Sequence, residues 1–459
     1  MMIKYYQHWH NEIPEYRYTG RNGSFHMDLP GTLLTGNTHS TLLSSVFAVS
    51  RNCSFKIIIE MKPSMMLNGQ VRIAVIGAGW WTQGWHLPHL SRNPISMIAA
   101  IVDASDHPKS NLNPNLISLQ ELATNYNAPI YSSIEELLQD EHVSPSLDGV
   151  LVATPHATHF AIGKLLMEEA TRRHNAGEKA LHIMMEKPMT TDFHEAQKLH
   201  SLVEEYRDLG GKGSFMINHS ANYRLQTRKA KELVMADAIG DIRHITAFFA
   251  SPLMWIFDDP DNKGWNEPQG NMQGNGFAWG QSCHLLGWIF QVCPNLVPEA
   301  VFCAMNNSEK TGADIAHAAT IICKGNAIMS VSGTTLLPGN AHSSPPVGKK
   351  IFIHIYGTKG ALLYDGNDLD CMSGKLELRQ DAVNDGHPKF PCGEEVGFDF
   401  ENIAQNGNGP ESIQAFLDAC SGKNDYYIGA DSMLGLRTVQ TMEAMYRSNA
   451  SKELEQVLS

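Results

Sequence analysis

The chain has 459 residues, of which 42% are hydrophobic and 18% are charged. This length and composition predict a globular protein with a large core and two or three domains. The net charge of -13 comes from 48 acidic and 35 basic residues. Because the basic residues form no long run, nucleic acid and anionic membrane surfaces are disfavoured as partners.

The eight cysteines are scattered along the chain, and none belongs to a C-x-x-C pair. Neither a metal site nor a disulfide framework is indicated, so we predict reduced thiols, no metal and a cytoplasmic location. No uninterrupted apolar run is long enough to cross a bilayer, and we expect no membrane partner.

Residues 1–65 contain many turn-forming residues and no sustained hydrophobic period. We expect this segment to be an extension that is disordered or not native to the folded protein. A targeting segment is the alternative, although its apolar part lies too far from the first residue for an ordinary signal peptide.

From Val71 onward, apolar strands alternate with helical stretches. The predicted strands are 71–76, 97–102, 148–154 and 181–186, and the predicted helices are 118–126, 133–140 and 159–174. This alternation predicts βαβ units and a doubly wound parallel sheet. After about residue 218 the strands are close neighbours, which predicts an α+β domain with an open, mostly antiparallel sheet. Its strands are 242–250, 317–323, 327–335, 350–357, 360–365 and 375–380, and its helices are 226–240, 411–422 and 430–449.

The first predicted strand is followed by Gly77-Ala78-Gly79 and a candidate helix. In a dinucleotide site, the first glycine allows a tight turn and the second lets the backbone approach the pyrophosphate. Thr82 replaces the usual third glycine, and plain turn geometry explains such a pair of glycines equally well. Asp103, at the end of the second strand, can accept hydrogen bonds from a ribose or cap a turn. Its carboxylate would repel a 2′-phosphate, which favours NAD over NADP.

Two further motifs follow strand ends. Thr154 and Pro155 lie at the carboxyl edge of the predicted sheet, where ligands bind in open α/β folds. His159 can contact a cofactor or substrate, or it can be a surface or capping histidine. Glu186 and Lys187 follow the next strand directly, where the lysine can hold a substrate hydroxyl or form an ordinary surface pair.

In this order, the motifs resemble those of the Gfo/Idh/MocA oxidoreductases, which include glucose–fructose oxidoreductase, inositol dehydrogenases and dihydrodiol dehydrogenases. The resemblance covers Val71 to the C-terminus and includes a glycine-rich segment before His284. It implies an NAD-binding Rossmann domain at 66–190 and an α+β substrate and oligomerisation domain at 191–459. It also implies a homo-oligomer that forms through the open sheet.

The implied activity is NAD(P)-dependent hydride transfer between nicotinamide and a secondary hydroxyl of a sugar, polyol or cyclitol. An NAD-dependent glycoside hydrolase of the same family is one alternative. A non-catalytic NAD-binding regulatory protein is another, because the family's usual aspartate four residues before the catalytic histidine is replaced by Gly280.

The resemblance implies that Lys187 contacts the reacting hydroxyl and that His284 is the general acid or base. Either these two suffice, or Asp258 or Asp259 replaces the missing aspartate, or the activity is altered or lost. We expect both side chains to line one cleft, a cis peptide before Pro188, and free space at Gly280. The expected cofactor contacts are Gly77, Ala78, Gly79, Trp80, Trp81, Asp103, Thr154, Pro155, His159, Glu186 and Lys187, and the expected substrate contacts are Asn218, Tyr223, Arg224, Trp255 and Asp258.

Overall fold

A computed structural model of the chain describes residues 24–29, 32–37, 69–110, 113, 115–339, 348–366, 372–380, 382–384, 387–389, 395–399 and 410–459. The chain divides into two units, 1–65 and 66–459. In the first unit, strands β1 (Ser24–Leu29) and β2 (Thr32–Asn37) pair in antiparallel orientation. The rest of the expected extension at 1–65 lies outside the described residues, and its nature stays a prediction.

The second unit begins with a six-stranded parallel sheet of order β5-β4-β3-β6-β7-β8. The strand order reverses between β3 and β6, so a crevice opens at the carboxyl ends of these two strands. The predicted doubly wound sheet is confirmed. Its strands are β3 (Val71–Ile76), β4 (Ser96–Val102), β5 (Ile130–Tyr131), β6 (Gly149–Val152), β7 (His182–Glu186) and β8 (Phe215–Asn218).

A π-helical turn at Thr82–His86 and five α-helices connect these strands. The sequence did not predict β8, and this strand carries the parallel sheet beyond the expected domain boundary at residue 190. We call the six-stranded sheet and its helices the first domain. The helices are α1 (Leu87–Arg92), α2 (Leu119–Tyr126), α3 (Ile134–Gln139), α4 (His159–Asn175) and α5 (Phe193–Asp208).

Local sequence signals start several of these helices. Ser118 and Glu121 form a reciprocal capping box at the start of α2. Ser133 and Asp192 accept a backbone N–H at the starts of α3 and α5. Such caps satisfy amide groups that have no partner inside the helix, which explains why these helices begin where the sequence predicts.

The second domain contains a nine-stranded sheet of order β18-β15-β14-β13-β9-β12-β11-β10-β19. Among the described strands of this sheet, only the β9–β12 pair is parallel, so the prediction of a mostly antiparallel sheet is confirmed. A separate pair is β16 (Ala382–Asn384) with β17 (His387–Lys389). The sheet strands are β9 (Ile242–Ala250), β10 (Pro298–Asn307), β11 (Asp314–Cys323), β12 (Ile328–Thr334), β13 (Lys350–Gly357), β14 (Gly360–Gly366), β15 (Met372–Gln380), β18 (Glu395–Asp399) and β19 (Glu455–Gln456).

Helices cover one face of this sheet, and the last helix also reaches the first domain. In α11, Glu443 accepts the backbone N–H of Phe193 at the start of α5, 2.7 Å away. The Ser448 hydroxyl of α11 accepts the N–H of Cys303 in β10, 2.9 Å away. One helix therefore links the two domains. The helices of the second domain are α6 (Leu225–Met235), α7 (Met254–Phe257), α8 (Lys263–Asn266), a π-helical turn (Ala278–Ser282), α9 (Cys283–Val292), α10 (Glu411–Cys420) and α11 (Ser432–Ser451).

The opposite face of the sheet, which we call the open face, carries exposed apolar side chains. Four paired residues form a row across β11, β12, β9 and β13: Ile322, Ile328, His244 and Tyr356. Phe302 on β10 is 46% exposed and lies in the next row.

Five cysteines within the described residues are buried and unpaired, which agrees with the prediction of reduced thiols. Cys53, Cys371 and Cys392 lie outside that part of the chain. Among the helices that the structure describes, none has both the length and the apolar character of a membrane span.

Candidate active site

The turn after β3 has the geometry that the glycine pair predicts. Gly77 has a φ of 93°, which side chains rarely tolerate, and its N–H donates to Val102 O at 2.8 Å. A Cβ at this position would lie 2.6 Å from Ala153 O. A Cβ at Gly79 would meet no heavy atom within 4 Å. The turn is thus closed on the sheet side and open on the crevice side, which fits a dinucleotide pyrophosphate.

Asp103 ties this turn to the end of β4. One of its carboxylate oxygens accepts the N–H of Ala78 at 2.7 Å, and the other accepts the N–H of Ser105 at 2.9 Å. The turn-capping role is therefore present in the structure. Each oxygen still has a free lone pair, so the carboxylate can also accept a ribose hydroxyl.

An aromatic cluster follows the glycine turn. Trp81 stacks on Trp85 with ring centroids 5.0 Å apart, and its edge faces Trp80 at 5.3 Å. Thr82, which replaces the third glycine, is fully buried at the start of the π-helical turn. The helix after the glycine turn therefore begins with a π-helical turn, in which Thr82 holds the place of the third glycine.

Glu186 is the centre of the polar contacts at this edge of the sheet. Its Oε1 accepts hydrogen bonds from Trp81 Nε1 at 3.1 Å, His86 Nε2 at 2.9 Å and Asn218 Nδ2 at 2.8 Å. Burial raises the pKa of this carboxyl, but the bonds and charges of His86 and its other neighbours outweigh it and hold the pKa at about 2. Asn218, expected to contact substrate, thus directs its amide nitrogen to Glu186 instead.

Lys187 extends from the carboxyl end of β7 into the second domain. The peptide before Pro188 is cis, as predicted. The Lys187 Nζ donates to Gly280 O at 2.7 Å and lies 5.7 Å from the centroid of the Trp265 ring, a cation–π distance. The lysine therefore contacts the segment that leads into His284.

The expectation that His159 contacts the cofactor is corrected by its surroundings. Its Nδ1 lies 2.7 Å from Pro188 O and its Nε2 lies 3.1 Å from Thr154 O. Since the ring is buried and both nitrogens face main-chain oxygens, His159 braces the loops after β6 and β7. Thr154 and Pro155 do lie at the expected edge, with Pro155 exposed.

His284 lies in the first turn of α9 and is partly exposed. Its ring is perpendicular to the ring of His219, with centroids 5.6 Å apart. Burial holds the pKa of His284 well below its ordinary value, and the positive charge of Lys187 is the next largest cause. Lys349 and Arg224 shift this pKa in the same direction, which favours the neutral imidazole.

The expected free space at Gly280 is not present. A Cβ built there would lie 2.9 Å from Cζ of Phe257 and 3.5 Å from Cζ3 of Trp265. Phe257 is fully buried in α7, so aromatic packing fills the place where a side chain would extend. At this residue Lys187 binds the main-chain oxygen in place of a carboxylate.

Both candidates for a replacement acid have hydrogen-bond partners close to their own loop. Asp258 accepts hydrogen bonds from Ser308 Oγ at 2.6 Å and from the ammonium of Lys310, and these bonds lower its pKa. Asp259 accepts the N–H of Asp261 at 3.0 Å within its own loop. Both carboxylates therefore hold structural hydrogen bonds, and a substrate contact by Asp258 stays a prediction.

Two other expected substrate contacts are also structural. Tyr223 is fully buried, and its hydroxyl donates to Ile217 O at 3.1 Å. Trp255 donates from its indole nitrogen to Pro252 O at 3.2 Å, which closes a local turn. Arg224 differs from these two, because its charge acts on His284 from the start of α6.

The sequence reading missed three histidines of the site: His86, His156 and His219. Burial lowers the pKa of both His156 and His219 to about 3. His156 has its Nε2 unpartnered, and both ring nitrogens of His219 are unpartnered. His219 directly follows β8, and His156 lies four residues after the end of β6, so their places near the ligand edge of the sheet could have pointed to them.

Asp314 fixes the start of the segment that carries Gly280 and His284. Its carboxylate accepts the N–H of Ala278 at 2.8 Å and the hydroxyl of Tyr446 at 2.5 Å. Burial raises the pKa of Asp314 to about 6. Within the described residues, no group of three or more His, Cys, Asp or Glu is placed to hold a metal ion.

The fold and this site together define a two-domain dinucleotide-binding protein. Residues 71–209 match the family described as the oxidoreductase family with an NAD-binding Rossmann fold. Residues 227–363 match the GFO/IDH/MocA C-terminal domain. The chain belongs to the GFO/IDH/MocA family, as its ordered motifs predict.

The chain is similar to D-xylose 1-dehydrogenase [NADP(+)] of Haloarcula marismortui, with 24% identity over 191 residues. The match covers 42% of this chain and 46% of that relative, less than half of its length. Two solved structures share the fold. An oxidoreductase domain protein from Kribbella flavida has a TM-score of 0.61 and 15% identity over 85% of this chain and 100% of its own. Levoglucosan dehydrogenase in complex with NADH and levoglucosan has a TM-score of 0.58 and 19% identity over 85% and 100%.

Restoring the family's carboxylate by Gly280→Asp is expected to destabilise the protein without raising turnover. The new side chain would clash with Phe257, and overpacking of a core costs about 1–3 kcal/mol. Chemical denaturation measures this loss, and Gly84→Asp is the matched control because a Cβ at Gly84 meets nothing within 4 Å. Equal stability of Gly280→Asp and the wild type would contradict this expectation, since it would mean that Phe257 moves aside at little cost.

Proposed function

We propose that the protein is an NAD(P)-dependent oxidoreductase that transfers a hydride between nicotinamide and a secondary hydroxyl of a sugar, polyol or cyclitol. The hydrogen bond from Lys187 to Gly280 O carries this proposal. It joins the ligand edge of the first domain to the segment that leads into His284. Family membership and the names of the similar sugar dehydrogenases support it.

In this proposal the first domain holds the dinucleotide through the turn at Gly77 and Gly79 and through Asp103. The bound nicotinamide supplies the hydride acceptor or donor. Glu186 stays ionised and holds the neighbouring backbone in place, since its carboxylate is fixed by three side chains. Thr154 and Pro155 form the wall of the crevice between the glycine turn and Glu186.

The second domain supplies the proton acceptor. The neutral imidazole of His284, which its lowered pKa favours, can take the proton of a substrate hydroxyl. The Lys187 ammonium, which now binds Gly280 O, can donate to the same oxygen and stabilise its developing negative charge. Two residues therefore suffice for the acid–base work, without an aspartate at position 280.

We further propose that NAD is preferred over NADP. Asp103 is the charged side chain at the end of β4, where the ribose hydroxyls of a dinucleotide are bound. A 2′-phosphate would meet this carboxylate at close range, and like charges repel strongly there. The similar xylose dehydrogenase is named for NADP(+), so the ratio of the two dissociation constants is the decisive measurement.

A homo-oligomer through the open face is also proposed. Phe302, Ile322, Ile328 and Tyr356 are each more than a third exposed on neighbouring strands. A stable interface buries roughly 800 Å² on each partner and is most apolar at its centre. A second copy of this chain provides a matching sheet surface through a two-fold axis.

Replacing the proposed base by His284→Ala is expected to lower kcat by about a hundredfold or more, the usual effect of losing a general base. The dissociation constant for the dinucleotide should stay the same, because His284 belongs to the second domain. In the wild type, kcat/KM for oxidation should show no transition near pH 6.5, since the pKa of His284 lies well below that value.

His107→Ala is the control for this experiment, because His107 is an exposed histidine of the first domain. Full activity of His284→Ala would refute its role as base. If the wild type binds NAD but oxidises no member of a wide sugar and polyol panel, the non-catalytic alternative is correct.

Asp103→Ser is expected to narrow or reverse the preference for NAD, because it removes the charge that repels a 2′-phosphate. Serine keeps an oxygen that can accept the N–H of Ala78. Titration of both dinucleotides measures the ratio of the two dissociation constants, with Asp106→Ser as a neighbouring control. A wild type that already binds NADP more tightly would contradict this role of Asp103.

The double variant Phe302→Asp with Ile328→Asp is expected to convert the oligomer to monomers, because charged side chains would be buried in an apolar interface. Sedimentation velocity measures the change in mass. Leu209→Asp, an exposed leucine of the first domain, should leave the mass unchanged. A monomeric wild type, or a double variant that stays oligomeric, would rule out this interface.

A further inference from the structure

Trp81 leaves a large aromatic surface exposed beside the glycine turn. It lies two residues after Gly79, in the segment that fits a dinucleotide pyrophosphate. One side of its ring is covered by Trp85, because the two ring planes are 13° apart and their centroids are 5.0 Å apart. The residue is still 36% exposed, so its open surface lies on the remaining sides of the indole.

The indole also connects two strand ends that are not neighbours in the sheet. Trp81 follows β3 in the chain, and its Nε1 donates to Glu186, the last residue of β7, at 3.1 Å. In the sheet order, β6 lies between β3 and β7. Neighbouring strands are about 4.8 Å apart, so this contact spans roughly 10 Å of the ligand edge of the sheet. Trp81 therefore extends along the crevice, past the end of β6.

A dinucleotide bound as proposed follows the same path. Its pyrophosphate lies at Gly77 and Gly79, and its nicotinamide must come within reach of Lys187, because Lys187 donates to the reacting oxygen in the proposed mechanism. Lys187 is the residue after Glu186. The nicotinamide and the indole of Trp81 therefore share one stretch of the crevice, between the glycine turn and the end of β7.

The orientation of the Trp81 ring is fixed by its neighbours. The plane of the Trp80 ring lies at 63° to it with centroids 5.3 Å apart, and the His86 ring is perpendicular to it at 6.2 Å. The hydrogen bond to Glu186 fixes the end of the side chain. An aromatic surface that is already ordered loses little side-chain entropy when a ligand packs against it.

The hydrogen bond to Glu186 also makes the indole a stronger π donor. Glu186 is ionised, since its neighbours hold its pKa at about 2 despite its burial. An N–H that donates to a carboxylate forms a charge-assisted bond and is polarised by it, which raises the electron density of the ring. Among the aromatic side chains, tryptophan attracts cations most strongly through its face.

This electron density distinguishes the two redox states of the cofactor. The nicotinamide ring carries a positive charge in NAD+ and none in NADH, so an electron-rich indole attracts the oxidised ring more strongly. The ammonium of Lys187 opposes this preference, but it donates to Gly280 O on the second-domain side of the crevice. The carboxylate of Glu186 acts in the same direction as the indole.

We propose that Trp81 packs its exposed surface against the nicotinamide ring and thereby binds the oxidised cofactor more tightly than the reduced one. The inference rests on the proposed function and adds to it a residue that discriminates between the two redox states. Trp80 and Trp85 hold the Trp81 ring in place and need not contact the cofactor themselves.

The test measures binding in the absence of substrate. NAD+, NADH and ADP-ribose, which lacks the nicotinamide, are each titrated calorimetrically into the wild type and into Trp81→Leu. The substitution should weaken NAD+ by about tenfold, the effect of one desolvated cation–π contact, and NADH by less than about threefold. The affinity for ADP-ribose should stay the same, because the glycine turn is intact.

Two further variants separate stacking from the other effects of the substitution. Trp81→Phe keeps an aromatic ring but removes the N–H that binds Glu186, so its affinity for NAD+ should lie between those of the wild type and Trp81→Leu. If Trp81→Leu fails to fold, Trp81→Phe still gives the comparison of the three ligands. Trp255→Leu is the control, since it removes a partly buried tryptophan of the second domain.

Tryptophan fluorescence gives a second readout that is independent of turnover. NAD+ should quench the emission of the wild type and ADP-ribose should not, and most of this quenching should be lost in Trp81→Leu and kept in Trp255→Leu. Equal losses of affinity for all three ligands would overturn the inference, because they would show a structural role for Trp81. Tighter binding of NAD+ by Trp81→Leu would overturn it as well, since the indole would then obstruct the crevice. A wild type that binds none of the three ligands would refute the proposed function together with the inference.

Discussion

The buried carboxylate of Glu186 is the interaction on which the site depends. Its three donors come from the indole of Trp81, the imidazole of His86 and the amide of Asn218. Trp81 and His86 follow β3, and Asn218 is the last residue of β8. Because Glu186 ends β7, its carboxylate connects the ends of three strands. Removing one donor would leave this charge with only two of its three side-chain hydrogen bonds, and hydrogen bonds to charged groups typically contribute about 1.5–3 kcal/mol. Lys187 is placed by the backbone that Glu186 holds.

The glycine at position 280 changes what this lysine meets across the cleft. A carbonyl oxygen carries only a partial charge, so it neutralises the ammonium of Lys187 less than a carboxylate would. The electrostatic balance around His284 therefore differs from that of a Lys–Asp–His arrangement, and Phe257 occupies the volume that the aspartate would need. The absence of an acid at position 280 and the close packing of Phe257 on it are therefore linked in this structure.

Much of the fold could be predicted from local sequence. Apolar runs such as 71–76 and 97–102 give buried parallel strands, and the turn at Gly77 has a signature that depends on only a few residues. The strands β8 and β10 were missed. The first has only four residues, and the second alternates buried and exposed residues without a clear boundary.

The site itself was only partly predictable, because the direction of a side chain depends on contacts that are distant in sequence. His159 looked like a cofactor ligand until its ring proved to bridge two carbonyl oxygens. The free space expected at Gly280 is filled by Phe257, which belongs to a separate loop helix. By contrast, Lys187 and His284 were identified because a family pattern carries their roles.

Helix α11 has a mechanical consequence for the cleft. This 20-residue helix, roughly 30 Å long, binds the start of α5 through Glu443 and the edge of β10 through Ser448. It also reaches the His284 segment, because Tyr446 binds Asp314. Because it contacts both domains, α11 restrains their movement relative to each other. A displacement of α11 would therefore act on both halves of the site at once, because the helix contacts the first domain and the segment that leads into His284.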